Sequence, residues 1–353
     1  MTIRVVDTLT HALSGALLAR ATAPREAPPK SLWRRMAVGF LACASPDLDI
    51  VITMLGPVAY LENHRGVTHS LILLPLWALL YSWILAKVLR EPRGWRALYG
   101  ITAMGLALHV AGDVITTYGT MILAPLSNWR AQIGTTFIID LWFTGIIVAG
   151  LAASAALRRA RWPAVAFLAL LAGYVGFQYL QKEKAGEFGE RYAREHGIRG
   201  ASVDVQPRPV SPFNWTVFVS DAEAHRFADV NLVREMPPVY REGDGYIAML
   251  DSAYQPLAQA RWETRSRFGE GAETALAREA WNSDAMAVYR WFAELPAYDG
   301  TSAGPTCVWF VDLRFTLEGR PTRPFRYGAC RAAPGAQWVL APPGWRLAPP
   351  GRT

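Results

Sequence analysis

The sequence predicts a membrane-embedded all-α helical bundle of five to six transmembrane helices, followed by a small soluble α+β domain. Two observations carry this prediction. The first half of the 353-residue chain consists mostly of long apolar runs, whereas the second half is a mixed polar sequence with strand-like segments. In the first half, Lys and Arg are concentrated in alternate loops between the apolar runs, which is the pattern of multi-pass membrane proteins.

Five apolar runs approach the roughly 20 residues that a helix needs to cross a bilayer. They are residues 36–55, 70–89, 97–117, 137–157 and 163–180. A shorter run, residues 8–20, would span only imperfectly or be partly re-entrant, so the predicted number of spans is five or six. Asp7 and His11 interrupt the apolar start of the chain, residues 1–20, and no A-x-A-like cleavage site follows, so we interpret this segment as retained rather than as a signal peptide.

The charge distribution predicts the orientation of the bundle. Basic residues crowd into residues 20–35, 87–96 and 158–161, whereas the alternate loops carry only Arg65 and Arg130. Basic loops stay cytoplasmic, so we expect a multi-pass inner-membrane protein whose chain after residue 181 is periplasmic. These basic loops also explain the formal net charge of +7. The expected partner is therefore the lipid bilayer, and no nucleic-acid partner is expected.

Three parts of the chain are predicted. Residues 1–182 form the transmembrane domain, residues 185–331 a soluble α+β domain, and residues 332–353 a Pro/Gly-rich, disordered tail.

Within the soluble domain, residues 213–219 and 307–315 have the composition of strands, and residues 272–294 that of a helix. Cys307 and Cys330 could pair in an oxidising compartment or remain two separate thiols, and the sequence leaves both open.

Four of the six histidines fall within the first 110 residues, each near a carboxylate or another histidine. Asp7 and His11 are spaced i, i+4, as are His109 and Asp113, so each pair shares one face of a helix. Two such pairs could meet across the core of a bundle.

Two further motifs lie between these pairs. Asp47 and Asp49 would point about 200° apart on a regular helix, so Pro46 is expected to start a turn or break. In the motif NHRGVTHS, a turn at Gly66 and a helix N-cap at Thr68 would let His64 and His69 point at one place.

Ionisable groups inside a membrane cost roughly 2.5–3.5 kcal/mol each, so several together need a compensating partner. A divalent cation is such a partner, and imidazole with carboxylate favours Zn²⁺, with Fe²⁺ or Mn²⁺ as alternatives. The predicted metal ligands are His11, His64, His69, His109, Asp113 and Asp7. Asp47 or Asp49 would act as general base, and Arg65 would hold an anionic group of an amphiphilic substrate.

Each of these residues also has a structural interpretation. His11 could be a hydrogen-bonded core residue, Asp7 and Asp140 could be helix caps or interface carboxylates, and Asp47 and Asp49 could pair with Arg65. The cluster as a whole could hold a structural metal, or belong to a metal-ion or proton pathway. A pathway would need ionisable groups on both sides of the bilayer midplane, and here they collect towards one face. His196 and His225 stand alone and are expected to be surface or structural residues.

The motifs DTLTHALSG, SPDLDI, NHRGVTHSL and HVAGDVITTYG, in this order between residue 7 and about residue 119, resemble the YdjM-like inner-membrane proteins, described as metal-dependent hydrolases. The resemblance implies an inner-membrane location and metal binding, and it leaves the substrate open. Its motif positions fall on Asp7, Thr10, His11, Asp47, Asp49, His64, Arg65, Thr68, His69, His109 and Asp113. The predicted function is therefore a metal-dependent hydrolase at the outer face of the inner membrane, acting on a phosphoester or lipid-linked ester.

Overall fold

The computed structural model describes residues 2–24, 28–241, 243–304, 306–318 and 323–342. The chain divides into two compact units. The helical unit comprises Met1–Lys182 with Pro207–Pro212, and the sheet unit comprises Glu183–Gln206 with Phe213–Thr353.

The helical unit is built from seven α-helices, of which the last continues into the sheet unit. They are α1 (Thr2–Ala21), α2 (Pro29–Ala44), α3 (Pro57–Asn63), α4 (Leu74–Val88), α5 (Arg96–Val114), α6 (Leu141–Ala156) and α7 (Trp162–Glu195). Two 3₁₀ helices, Ser45–Leu55 and Val67–His69, flank α3.

Within the part of the chain that the structure describes, three segments are long and apolar enough to cross a membrane: Pro29–Leu55, Arg96–Val114 and Trp162–Glu195. Pro57–His69 and Leu74–Val88, which meet at an angle of 80°, would together make a fourth. The predicted helical N-terminal region and sheet-containing C-terminal domain are thus confirmed. The number of five to six spans stays a prediction.

Helices α1 and α2 approach closely because glycines face each other at their crossing. A Cβ atom on Gly15 would lie 2.2 Å from the carbonyl oxygen of Gly39, and one on Gly39 would lie 2.4 Å from that of Gly15. On α5, a Cβ atom on Gly105 would lie 3.1 Å from the Cβ of Ala42. Small residues allow such close backbone contacts between helices, so α1, α2 and α5 form the tight centre of the unit.

The helix N-cap predicted at Thr68 is wrong, because Thr68 lies within the 3₁₀ turn Val67–His69. The predicted span 70–89 begins its helix only at Leu74. The Ser70 hydroxyl accepts the backbone amides of Ile72 and Leu73 at 3.1 and 3.2 Å, which holds these residues in a turn before α4. The predicted break at Pro46 is present, because Ser45–Leu55 is a 3₁₀ helix rather than a continuation of α2.

The basic loops gather at one end of the helical unit. The Arg20 guanidinium donates to the carbonyl oxygens of Arg158, at 3.0 Å, and Ala160. Arg34 Nη1 lies 3.1 Å from Glu91 Oε2, which joins the start of α2 to the loop between α4 and α5.

The sheet unit contains two sheets. The first runs in the order β1 (Ser202–Pro207), β2 (Asn214–Ser220), β3 (Ala224–Asn231) and β4 (Gln255–Pro256), with β5 (Glu263–Ser266) also pairing with β3. The second is antiparallel, in the order β6 (Pro296–Ser302), β7 (Thr306–Asp312), β8 (Arg326–Arg331) and β9 (Val339–Ala341). The helices are α8 (Tyr246–Ser252), α9 (Glu273–Asn282) and α10 (Ala287–Phe292).

Strand β9 corrects part of the sequence prediction. Residues 339–341 lie within the tail predicted to be disordered, yet they pair with β8 at the edge of the second sheet. The tail was judged by its Pro and Gly content, which does not register the short apolar run Val339–Ala341. Residues 343–353 lie outside the described part of the chain.

Cys307 and Cys330 face each other on β7 and β8 and form a disulfide. This selects one of the two arrangements that the sequence left open. His225 is buried between Ser220 and the Pro296 carbonyl oxygen, whereas His196 is exposed, so each has one of the two expected roles.

Candidate metal centre

Three fully buried side chains converge beside the last turns of α5. His109 and Asp113 lie one turn apart on α5, and the 3₁₀ turn Val67–His69 brings His69 beside them. His69 Nε2 lies 3.0 Å from His109 Nε2 and 3.1 Å from Asp113 Oδ2, and His109 Nε2 lies 3.3 Å from the same oxygen. Two imidazole nitrogens and one carboxylate oxygen therefore form a compact triangle.

The hydrogen bonds behind the two rings define which nitrogen of each carries a proton. His109 Nδ1 donates to the Cys43 carbonyl oxygen at 2.6 Å. The Thr68 hydroxyl donates to Asp49 Oδ2 at 3.2 Å, so its oxygen accepts from His69 Nδ1 at 2.9 Å. In the neutral rings, both Nε2 atoms then present lone pairs to each other, and metal-binding histidines are typically oriented in this way.

Asp113 completes a donor set that needs a cation. Its Oδ2 is buried and has no hydrogen-bond partner among the residues that the structure describes, whereas its Oδ1 lies 2.9 Å from Arg65 Nη2. Donors about 2.0–2.1 Å from a tetrahedral Zn²⁺ lie about 3.3 Å apart. The three measured separations fall close to this value, so the donor set fits a divalent cation.

Asp47 lies at the edge of this triangle. Its Oδ1 is 3.6 Å from His109 Nε2 and 4.0 Å from His69 Nε2, and its Oδ2 accepts a hydrogen bond from Thr8 at 2.7 Å. Its side chain is 14% exposed, whereas those of the triangle are fully buried. Asp47 is thus the carboxylate of the SPDLD motif that faces the histidines.

Asp49 points the other way and organises the loop that follows α3. It accepts hydrogen bonds from His64 Nδ1 at 2.8 Å, from the Arg65 backbone amide at 3.0 Å and from Thr68. His64 stacks on Tyr60, and its ring centroid lies 6.3 Å from that of His69. The structure therefore groups His64 with Asp49 and outside the triangle.

On the opposite side of Asp113, Arg65 and His11 meet a second carboxylate. Arg65 Nη2 lies 2.9 Å from Asp113 Oδ1 and 3.5 Å from Asp7 Oδ2. His11 Nε2 lies 3.2 Å from Asp113 Oδ1 and 3.5 Å from Asp7 Oδ1. Asp113 Oδ2 thus faces the histidine triangle. Its Oδ1 faces a group formed by Arg65, His11 and Asp7, which we call the Arg65 cluster.

Arg65 is held firmly within the protein. It is 2% exposed, and its Nη1 donates to the Thr116 hydroxyl at 2.9 Å. Its backbone adopts a φ of 57°, in the left-handed region that non-glycine residues rarely enter. Two hydrogen bonds maintain this conformation. The Arg65 backbone amide donates to the Asp49 carboxylate, and the Met121 backbone amide donates to the Arg65 carbonyl oxygen.

Several residues that support the site were not predicted from the sequence. Gly112 makes room for His11, because a Cβ atom there would lie 2.7 Å from His11 Cε1. Thr8 and Thr116 orient Asp47 and Arg65. Cys43 groups with His11 and His109 as a third set of potential donors. The signal for Gly112 and Thr8 was their position next to the motif aspartates Asp113 and Asp7.

Asp140 lies apart from the triangle as a helix cap. Its Oδ1 accepts the amides of Trp142 and Phe143 at 2.8 and 2.9 Å, and its Oδ2 accepts from Tyr174 and Gln178. Asp140 lines a small cavity of about 50 Å³ together with Asp7 and His11. Its other lining residues include Thr136, Phe137, Phe143 and Leu171.

Comparisons with known proteins cover the part of the chain that holds these residues. YfhP of Bacillus subtilis, named as an uncharacterised protein, is 28% identical over 175 residues, which is 49% of this chain and 52% of that protein. The inner membrane proteins YdjM of Escherichia coli and Shigella flexneri are each 33% identical over 113 residues, covering 29% of this chain and 54% of theirs. The chain thus spans about half the length of these relatives.

No solved structure matches the chain. The family described as "YdjM inner membrane protein" matches residues 6–185, which is about half of the sequence. This range contains all four motifs on which the resemblance was noted, together with the histidine triangle and the Arg65 cluster. The chain therefore belongs to the YdjM family of inner membrane proteins.

Proposed function

We propose that this protein is a membrane-embedded, metal-dependent hydrolase with one divalent cation bound by His69, His109 and Asp113. The observation that carries the proposal is the triangle of two Nε2 lone pairs and one buried carboxylate oxygen, with separations of 3.0, 3.1 and 3.3 Å. Without a cation, these three electron-rich atoms would repel one another in a buried site.

Zinc suits the donors best, because two imidazoles, one carboxylate and an open fourth position make a typical catalytic zinc site. When bound, the ion would supply Lewis acidity and lower the pKa of water. Asp47 is the proposed general base, since it reaches towards the triangle, is partly exposed and is oriented by the Thr8 hydroxyl. Asp49, already accepting from three partners, is proposed to position Thr68 and hence His69.

A single ion is proposed because Arg65 already compensates the negative charge on the other side of the site, at Asp7 and Asp113 Oδ1. Its guanidinium contacts both Asp7 and Asp113, and a second cation beside it would face direct electrostatic repulsion. Arg65 is therefore assigned as a charge-compensating residue of the protein. This replaces the role in substrate binding expected from the sequence.

The proposed substrate is an amphiphilic phosphoester or lipid-linked ester. This class is proposed because the chain belongs to an inner-membrane family, so an amphiphilic substrate in the bilayer would be within reach of the site. The proposed site faces the outer side of the inner membrane. It lies at the end of α5 remote from Arg96, about 20 Å along the helix from the basic end of the bundle.

The second candidate is a structural metal site without catalysis. It is favoured by the complete burial of His69, His109 and Asp113, since structural sites are closed to solvent.

Asp47→Asn distinguishes the two candidates. The purified full chain in lipid nanodiscs would be loaded with Zn²⁺ and assayed against aryl phosphodiesters, phospholipids and aryl esters. Hydrolysis that is lost in Asp47→Asn while bound zinc is retained would support the enzyme, and a loss of about 10²- to 10⁴-fold is expected for a general base. The matched control is Asp284→Asn in the sheet unit, which should keep full activity. Stoichiometric zinc without turnover of any of these substrates would favour the structural site.

A further inference from the structure

Exposed apolar side chains in the sheet unit are concentrated in one segment. Among the described residues of that unit, the large apolar side chains that are exposed are Val233, Met236, Val239, Tyr240, Tyr246, Ile247 and Val339. All but Val339 lie within residues 233–247, and Met236 and Val239 are each 77% exposed. Scattered apolar residues on a surface are ordinary, whereas six exposed ones within one short segment make that segment a candidate interaction site.

The two ends of this segment are tied together at its base. The Arg234 guanidinium donates to Asp251 Oδ2 at 2.6 Å and to the Tyr254 carbonyl oxygen at 2.6 Å. Asn231 Oδ1 accepts the Arg234 backbone amide at 3.0 Å, and Asn214 Nδ2 donates to Asp251 Oδ1 at 2.8 Å. The segment is thus a loop on a hydrogen-bonded base, and its apolar side chains do not fold back into the unit.

We propose that residues 233–241 and 243–247, a loop that ends in the first turn of α8, form a membrane-contacting segment that inserts shallowly into the lipid headgroup region. The sheet unit is attached to a chain of the inner-membrane YdjM family through α7, whose residues belong to both units. This tether keeps a bilayer surface at high effective concentration. Tyr240 and Tyr246 fit that surface, because tyrosine is enriched at the membrane–water interface.

The loop also contains features that limit its depth. Residues 232–245 form neither helix nor strand where they are described, so much of their backbone would lose hydrogen bonds to water in hydrocarbon. Glu235, Arg241 and Asp244 are exposed between the apolar positions. Contact therefore stays at the headgroup boundary, about 5–10 Å deep, as for interfacial amphipathic segments.

Site-specific fluorescence quenching tests this proposal. Met236→Cys and Ile247→Cys would each be labelled with an environment-sensitive fluorophore on the full chain, in nanodiscs of phosphatidylcholine and phosphatidylglycerol. Glu270→Cys, an exposed polar position in the same unit, is the matched control. Lipids that carry a quencher at the headgroup should quench both loop positions roughly threefold more than the control, and a quencher deep in the acyl chain should have little effect.

Equal headgroup quenching at all three positions would overturn the proposal. So would cross-linking of two copies through Met236→Cys without lipid quenching, because the loop would then be a protein interface. Both loop substitutions are at exposed sites and should fold. Resistance of the Cys307–Cys330 disulfide to mild reductant would be compared with wild type, and only variants that match it are scored.

Discussion

At the scale of single residues, the division of the two SPDLD carboxylates organises the site. Asp49 accepts three hydrogen bonds and fixes the loop that carries His69, whereas Asp47 stays beside the histidine triangle with Thr8 as donor. The i, i+4 spacing of His109 and Asp113 predicted that the two would share a helical face. Which of Asp47 and Asp49 faces the triangle could not be predicted, because it depends on the 3₁₀ turn that follows Ser45.

Arg65→Gln should strongly destabilise the protein. The substitution leaves Asp7 and Asp113 without their buried cation, and removing one partner of a buried ion pair costs about 3–5 kcal/mol. Thermal unfolding of the full chain in detergent measures the effect. Arg93→Gln is the control, because the Arg93 side chain is 79% exposed and its partner Glu91 keeps a second partner in Arg34, so stability should change by less than about 1 kcal/mol. Equal melting temperatures for the two variants would contradict the role assigned to Arg65.

His225 predicts a pH dependence for the sheet unit. Burial lowers the pKa of His225 below its ordinary value of 6.5, so the folded unit holds this ring neutral. The unfolded chain therefore binds more protons, and the stability from His225 is complete above about pH 6.5 and lost as the pH falls below it. Proteolysis of residues 214–231 should accelerate more between pH 7.5 and 5.5 in wild type than in His225→Gln. The same pH response in both proteins would contradict this linkage, and His196→Gln, at an exposed site, should behave as wild type.

At the scale of elements, the glycine contact between α1 and α2 brings His11 and Asp47 to the end of α5. The apolar runs predicted where helices would form, but not how closely they pack. Such packing depends on small residues at helix crossings, and the sequence analysis did not assign Gly15 and Gly39 to one. The start of α4 was also placed four residues too early, because Ser70 hydrogen-bonds to the following amides and holds a turn.

Gly15→Ala should lower both thermal stability and metal content. Its added methyl group would lie 2.2 Å from the Gly39 carbonyl oxygen, so α1 and α2 must separate, and overpacking typically costs about 1–3 kcal/mol. Gly173→Ala on α7 is the matched control, since a Cβ atom there meets nothing within 4 Å. A Gly15→Ala protein with wild-type melting temperature and metal content would show that the close contact is dispensable.

At the scale of the whole molecule, the chain joins a helical unit that carries the YdjM family match to a sheet unit of which only three residues, 183–185, fall within that match. Apolar runs and basic loops were enough to predict this division into a helical and a mixed region. Strand pairing in the sheet unit was mostly out of reach, because it depends on contacts between residues distant in sequence. The pairing of Cys307 with Cys330, separated by 23 positions, is one example.

The proposed periplasmic location of the sheet unit predicts the redox state of these cysteines in cells. When the protein is made in a bacterium, Cys307 and Cys330 should resist a thiol-reactive polymer until a reductant is added, because disulfides persist in the periplasm. In a host that lacks its periplasmic thiol oxidase, both should react without reductant. Free thiols in the normal host would place the sheet unit on the reducing, cytoplasmic side of the membrane. A double variant, Cys307→Ser with Cys330→Ser, identifies any signal that comes from Cys43.

The most direct test of the account is the metal content of the purified full chain, measured by mass spectrometry for wild type, His109→Ala and Asp113→Ala. His196→Ala, at an exposed histidine of the sheet unit, is the control. We expect close to one divalent ion per chain in wild type and control, and its loss in both triangle variants even where they remain folded. Wild-type protein without metal, or metal retained in folded His109→Ala and Asp113→Ala, would contradict it.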